Sequence, residues 1–195
     1  MNLILCLLLF LLNLKNLEGK YIYSLNLFFI PIAEVVISID INDDVLRFRA
    51  EAKPIKGIYA ITGHKRIWYH SVLKITDNEF FALEVNTGEE RRSKGSDKKI
   101  EKRLKFAEDD RKKDWAAIAI DVISGNSVGK ISFDENTLNV MTTPYGFLLI
   151  PEKIRNPKAF SEVQIFMKNS LPEKWIVKKV MGIAEVSLVM KKRFR

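Results

Sequence analysis

Apolar and polar residues alternate along most of the chain after residue 20, which is the pattern of β-strands that bury one face. The clearest run, residues 46–52, has Leu, Phe or Ala at every second position and Arg or Glu between them. Turn sequences such as Asn42-Asp43-Asp44 and Thr76-Asp77-Asn78 separate these runs. The pattern predicts a mainly β protein whose strands form a curved antiparallel sheet or open half-barrel.

One segment, residues 114–123, has helical spacing instead, so the sheet is expected to pack around a single α-helix. Asp114 can cap the free amide groups at its start, and Gly125 can end it. The side expected to pack on the sheet consists of Trp115, Ile118, Ala119 and Val122. Residues 53–63 fit either a short helix or an irregular crossing. The basic residues 191–195 are expected to form a tail.

The N-terminus contains ten consecutive apolar residues, residues 3–12. This length is typical of a secretory signal peptide and falls short of the about 20 residues that a membrane-spanning helix needs. We therefore interpret residues 1–19 as a signal peptide and residues 20–195 as a single β-rich domain. A buried segment of the fold and an uncleaved anchor are the alternatives. Cleavage would remove Cys6, the only cysteine, and an exported chain without disulfides is ordinary for a bacterial periplasm.

The formal net charge is +8, which favours anionic partners. Residues 87–113 are strongly charged and are expected to form a polar hairpin with its tip near residues 94–96. The candidates for contact with an anionic partner are Arg91, Arg92, Lys98 and Lys99; a solvated loop is the other interpretation. Nucleic acid is not expected as a partner, because Phe106 is the only aromatic residue of this basic segment on which a base could stack.

The sequence predicts no catalytic residue, no metal site and no cofactor, so an enzyme is not expected. The two histidines, His64 and His70, belong to no recognised catalytic or metal-binding motif. His70 shares an apolar side of its strand with Trp68 and Val72, which favours a buried structural histidine over a catalytic base. His64 is expected in an exposed loop.

Three segments occur in an order typical of one family. Residues 29–35, Phe-Ile-Pro-Ile-Ala-Glu-Val, are followed by the helical residues 114–120 and then by residues 171–190, which include Gly182. In this order they resemble the Ile-Pro-x-Gly-Glu-Ala element, the single helix and the closing strand pair of the bacterial exported proteins of the domain of unknown function 3108 family. The resemblance implies a curved antiparallel sheet around one helix, similar in shape to the half-barrels of envelope lipoprotein carriers, and it implies no catalytic residue.

These observations favour a non-enzymatic binding protein for an apolar or amphiphilic molecule of the cell envelope, such as a lipid. The candidate lining residues are Tyr21, Tyr23, Phe48, Trp68 and Phe80, although each could instead belong to a closed core. Two alternatives stay open at this stage. One is a module that docks on another envelope protein, and the other is a small outer-membrane β-barrel, against which the helix and the charged middle of the chain argue.

Overall fold

The strands form one open antiparallel sheet, as the sequence predicts, with twelve strands among the residues that the structure describes. The computed structural model describes residues 16–93, 96–126, 128–133, 136–152, 160–180 and 183–194. Most of the predicted signal peptide (residues 1–15), the centre of the predicted hairpin tip (94–95) and Gly182 lie outside these residues. The strands are β1 (Gly19–Leu27), β2 (Ile30–Asn42), β3 (Val45–Pro54), β4 (His64–Thr76), β5 (Glu79–Ser93), β6 (Ser96–Lys105), β7 (Gly129–Phe133), β8 (Asn136–Thr143), β9 (Gly146–Pro151), β10 (Glu162–Lys168), β11 (Leu171–Val180) and β12 (Ile183–Phe194).

The sheet consists of two meanders that meet at its centre. Strands β1 to β6 pair in succession, strands β7 to β12 do the same, and β1 pairs with β12. The sheet order places β6 at one edge and β7 at the other. The connection between these two edges, residues 106–128, therefore has to cross a face of the sheet, and it contains the helix α2 (Trp115–Ile123).

Helix α2 is buried on almost every side, which explains why the sheet curves around it. Ala116, Ala117 and Ile120 belong to an apolar cluster formed with strands β1 to β5. Ile118 and Val122 belong to a second cluster, formed with strands β7 to β10. A flat sheet would contact only one side of a helix, so burial on both sides requires the two meanders to curl toward each other.

The predicted packing face of α2 is therefore wrong in part. Ile118 and Val122 are buried as expected, but Trp115 is exposed. Its indole ring meets the ring of Phe160 edge-on, with the centroids 5.3 Å apart. The apolar stripe of a helix does not identify its packing face when a curved sheet encloses the helix on several sides.

The two ends of α2 are as predicted. Asp114 Oδ1 accepts a hydrogen bond of 2.8 Å from the Ala117 amide, which caps the helix. Asp114 Oδ2 accepts a second one, of 2.7 Å, from the Tyr69 hydroxyl of β4. Burial, together with the charge of Asp114, raises the pKa of Tyr69. At the other end Gly125 adopts a left-handed φ of 76° and closes the last turn.

In two further segments, the structure decides a question that the sequence left open or corrects what the sequence led us to expect. The ambiguous residues 53–63 contain a short exposed helix, α1 (Lys56–Thr62), which ends at Gly63. Residues 191–194 of the expected basic tail are instead the end of β12, which pairs with the start of β1. The Arg193 guanidinium lies over the Tyr21 ring and donates hydrogen bonds to the carbonyls of Asn16 and Glu18. These contacts explain why a charged segment can continue the strand.

Within the described part of the chain, no helix has the length and apolar character needed to cross a membrane.

The antiparallel register gives the sheet two ends. One end carries the β1–β2 turn, α1 and the start of β6, and we call it the α1 end. The opposite end carries the β2–β3, β4–β5, β8–β9 and β10–β11 turns together with Leu17.

We expect Asp114→Ala to lower the free energy of unfolding by about 2–3 kcal/mol, because it removes a helix cap and leaves the Tyr69 hydroxyl without its acceptor. Urea denaturation followed by tryptophan fluorescence measures this loss. Asp114→Asn is the matched control, since asparagine keeps an oxygen that caps the helix, and it should lose less than half as much. Equal losses for the two variants would contradict this account of the helix start.

Candidate functional site

An apolar cavity of about 190 Å³ lies between α2 and the concave face of the sheet. Its lining consists of Leu17, Tyr21, Tyr23, Ile37, Ile39, Phe48, Ala119, Ile120, Ile123, Pro172, Trp175 and Leu188. No residue of this lining carries a formal charge. The cavity is thus suited to an apolar group and offers nothing to an ion.

The two tyrosines of the lining turn their rings, and not free hydroxyls, toward this space. Alternation along β1 places Tyr21 and Tyr23 on the concave face, where both are almost completely buried. The Tyr21 hydroxyl donates to the Leu17 carbonyl at 2.6 Å, and the Tyr23 hydroxyl donates to the Pro172 carbonyl at 2.8 Å. Burial raises the pKa of Tyr23, so this hydroxyl stays protonated. The rings therefore act as apolar walls.

The cavity persists because the helix presents a small residue to it. Ala119 lines the cavity together with the larger Ile120 and Ile123 of the same helix. The neighbouring Ala117 is fully buried and does not line the cavity. Ala117 thus permits close packing of the helix on the sheet, whereas Ala119 leaves the space of the cavity.

A second cavity, of about 330 Å³, adjoins the first at the end opposite α1. Leu17 and Ile123 line both cavities and so form the boundary between them. The rest of its lining is Ser124, Gly125, Thr142, Thr143, Gly146, Phe147, Met167 and Ser170. The Ser124 hydroxyl is buried and has no hydrogen-bond partner among the described residues. This cavity offers hydroxyl groups without formal charge.

The structure brings together three of the five predicted lining residues. Tyr21, Tyr23 and Phe48 line the apolar cavity. Phe80 points to the same side of the sheet but is packed completely within the core. Trp68 lies on the other face, because it is paired with Glu51 on the outward side of β3. There its indole packs over Gly88, where a Cβ atom would approach the ring to 2.3 Å.

Sequence reasoning missed the lining residues that come from other parts of the chain. Leu17 was assigned to the signal peptide, although it is buried and contacts both cavities. Trp175 and Leu188 are opposite each other in β11 and β12. Alternation along these strands could have placed both side chains on the concave face, but only the β1–β12 pairing brings them beside Tyr23.

The four predicted anion-contact residues lie on β5 and β6 at the α1 end, away from both cavities. Arg91 and Lys98 stand directly opposite each other across the two strands, an arrangement of like charges that is unfavourable without an anion. Arg92 is paired with Asp97 in the register. The Lys99 ammonium lies 2.6 Å from Glu101 and over the Trp68 ring. Arg91, Arg92, Lys98 and Lys99 therefore border the outer surface and not a ligand cavity.

The two histidines lie in acidic surroundings and not in an apolar or a catalytic one. His70 Nε2 lies 3.3 Å from Glu51, so the expectation of a histidine on an apolar side is wrong. His70 is paired with Arg49 of β3 and so lies on the outward face of the sheet, which carries the charged residues of β3. His64, expected in a loop, begins β4 with its Nδ1 atom 3.2 Å from Glu89. Across the described ranges, no group of three His, Cys, Asp or Glu residues could hold a metal ion.

Helix α2 also carries a buried ion pair outside the two cavities. The Asp121 carboxylate is fully buried and lies 2.5 Å from the Lys113 ammonium, which is 3.8 Å from Glu79. Burial raises the pKa of Asp121 to about 6, although Lys113 opposes this effect. Desolvation of the Asp121 carboxylate raises its pKa by more than the attraction of the Lys113 ammonium lowers it.

Comparison with protein-family models, with curated proteins and with solved structures gave no match. The resemblance to the exported family thus stays a prediction. The fold itself defines the class of molecule, an open curved β-sheet that encloses one helix and two adjoining cavities.

We expect the unfolding free energy of the wild type to fall, relative to that of Asp121→Asn, as the pH rises from 4 to 7. The folded protein holds the Asp121 proton up to about pH 6, whereas the unfolded chain releases it near pH 4. A raised carboxyl pKa therefore stabilises the folded state at low pH, and this stabilisation, about 2–3 kcal/mol, disappears through that window.

Urea titrations of both proteins at several pH values give the difference directly. Loss of the Lys113 contact adds a part to this difference that is the same at every pH, and that part does not test the pKa. If the whole difference in unfolding free energy were the same at pH 4 and pH 7, the raised pKa of Asp121 would be contradicted.

Proposed function

We propose that this protein is a non-enzymatic binding protein that holds a small amphiphilic molecule of the cell envelope between α2 and the sheet. The apolar part of the ligand would occupy the cavity beside Tyr21 and Tyr23. Its head group would occupy the second cavity, beside Ser124. The adjoining pair of cavities, one apolar and one lined by hydroxyls, is the observation that carries this proposal.

The apolar cavity supports a binding role because an unfilled interior is unfavourable for folding. Empty core volume costs about 24 cal/mol per Å³, so a fully enclosed void of about 190 Å³ would cost roughly 5 kcal/mol, an upper bound for this partly open cavity. That is a substantial share of the stability of an ordinary domain. An engineered apolar cavity of about 150 Å³ binds benzene, so this one fits a group of similar or slightly larger size, such as the end of an alkyl chain.

The second cavity supports a head group that is polar but uncharged. Ser124, Thr142, Thr143 and Ser170 supply hydroxyl groups, and the lining contains no Lys, Arg, Asp or Glu. A buried phosphate or carboxylate would need a compensating charge, so a hydroxyl or amide head group fits better. The Ser124 hydroxyl would then gain the hydrogen bond that the described residues do not give it.

Leu17 would control, together with Ile123, how far the two cavities communicate. Together with Ile123 it separates two spaces of about 190 and 330 Å³, which as one pocket would fall within the 300–1,000 Å³ usual for ligand sites. Movement of the Leu17 side chain would join them. Cleavage at Gly19, which the signal-peptide hypothesis predicts, would remove Leu17 altogether and leave the pocket continuous.

The alternative of a module that docks by strand addition has less support. The exposed edge strand β6 has all ten of its residues exposed, and most of them are charged. Charged side chains, lysine above all, are the usual means by which a protein prevents pairing at a sheet edge. The edge thus resists the strand addition that such a partner would need.

We expect Ala119→Leu to stabilise the protein and to weaken ligand binding at the same time. The larger side chain would fill part of the apolar cavity and raise the unfolding free energy by about 1–2 kcal/mol. It would also displace the ligand, so the affinity for the fluorescent probe N-phenylnaphthylamine should fall at least tenfold. Fluorescence titration and urea denaturation measure the two effects separately.

Ala117→Leu is the matched control, because this alanine is fully buried without lining the cavity. It should overpack the core and lower the unfolding free energy by about 1–3 kcal/mol. The proposal fails if wild-type protein does not bind the probe, or if Ala119→Leu binds it as tightly as the wild type does.

A further inference from the structure

The β1–β2 turn consists of two phenylalanines, which is unusual for a tight hairpin turn. Leu27 pairs with Ile30, so only Phe28 and Phe29 form the turn. Phe28 adopts a left-handed φ of 55°, a region in which a bulky residue is an outlier and glycine is preferred. Phe28 is nevertheless held there, since its amide donates to the Glu185 carbonyl at 3.3 Å.

The other hairpin turns with a left-handed φ use the expected residue types. Their left-handed residues are Asp43, Asp77, Asn78, Asn169 and Ser170, all of which are common turn residues. These turns lie at the opposite end of the sheet. Turn geometry alone therefore does not account for the Phe-Phe pair at the α1 end, and backbone strain of this kind is typical of functional sites.

The two phenylalanines belong to a larger exposed apolar surface. Phe29 is 95% exposed, and Ile30 beside it is 67% exposed. The Ile55 amide bonds to the Ile32 carbonyl at 3.0 Å, which places α1 next to this hairpin. Helix α1 adds Ile61, which is 83% exposed. We call Phe28, Phe29, Ile30, Ile55 and Ile61 the apolar end surface.

Basic side chains lie at the same end of the sheet as the apolar end surface. Lys53 and Lys56 flank Ile55, and the Arg92 amide bonds to the Gly63 carbonyl at the end of α1, which brings Arg91 and Arg92 to the same end. All four cations are exposed, and among the described residues they make no ion pair. Among the nearby acids, Asp97 is paired with Lys65. Glu34, Glu89, Glu90 and Glu185 offset part of the positive charge.

We propose that the apolar end surface docks this protein on an anionic lipid bilayer. Phe28 and Phe29 would enter the boundary between head groups and acyl chains, while Lys53, Lys56 and Arg91 would contact anionic head groups. Exposed apolar residues ringed by cations are the combination that binds such interfaces. Cores of protein–protein interfaces are depleted of lysine, so Lys53 and Lys56 beside the turn favour a lipid surface over a protein partner or a second copy of the chain.

The test replaces the turn by one that is better for folding and worse for docking. Phe28→Gly combined with Phe29→Ser supplies the preferred residue types for a left-handed turn, so its urea midpoint should equal or exceed that of the wild type. Sedimentation with vesicles of phosphatidylglycerol and phosphatidylcholine should show at least tenfold weaker binding for this variant. The matched control is Tyr145→Ser, which removes an aromatic residue, 71% exposed, from a turn at the opposite end.

A site-specific probe separates docking through this turn from binding through the apolar N-terminus. In a Cys6→Ser background, an environment-sensitive fluorophore is attached through Phe29→Cys or, as the control, Tyr145→Cys. On addition of anionic vesicles, emission from position 29 should shift to the blue and emission from position 145 should not. Vesicles of phosphatidylcholine alone, or high salt, should reduce the shift.

Three results would overturn the proposal. They are equal vesicle binding by the turn variant and the wild type, an unshifted fluorophore at position 29, and a change of oligomeric state as the only effect of the turn variant. The last result would assign the surface to a second copy of the chain. The affinity of the turn variant for N-phenylnaphthylamine should stay unchanged, so failure here and failure of the binding-protein proposal are distinguishable.

Discussion

The connection between the two edges of the sheet is the constraint on which the rest of the structure depends. Strand β6 ends one meander and β7 begins the other at the far edge, so the chain between them crosses the sheet. The crossing segment is α2, which is apolar on nearly its whole circumference. Such a helix is stable only where it is enclosed. The sheet consequently curls until both meanders contact α2, and the two apolar clusters are the result.

The fit between a curled sheet and one helix also determines where space is left. Ala116 and Ala117 let the helix approach strands β1 to β5 closely. Farther along, Ala119 of the helix and Gly125 just after its end are too small to reach the sheet, and the two cavities begin there. The cavities are thus products of side-chain size along a single helix. The residues that enclose them, Leu17 among them, come from segments distant in sequence.

Local patterns were sufficient to predict the strands, most turns and both ends of α2, because alternation and capping depend on neighbouring residues. What they could not give was the pairing of β1 with β12, which joins the two ends of the chain. Without that pairing, the concave face could not be assigned. The register of β3 with β4 was also missing, and Trp68 was therefore expected in the lining although it lies on the outward side. Trp115 was expected to be buried but is exposed. An aromatic residue in an alternating strand fits either face until its neighbours are known.

The places where the chain departs from local rules are separated from each other. Ala119 leaves a void where a larger residue would stabilise the core, and Phe28 adopts a conformation that glycine would adopt with less strain. Neither feature is required by the sheet or by α2, and each lowers the stability of the fold. One lies in the cavity and the other at the α1 end, so neither compensates for the other. Departures from locally favourable choices are expected at functional sites, and these two independent departures are the physical basis of the two proposals, one for a ligand site and one for a docking surface.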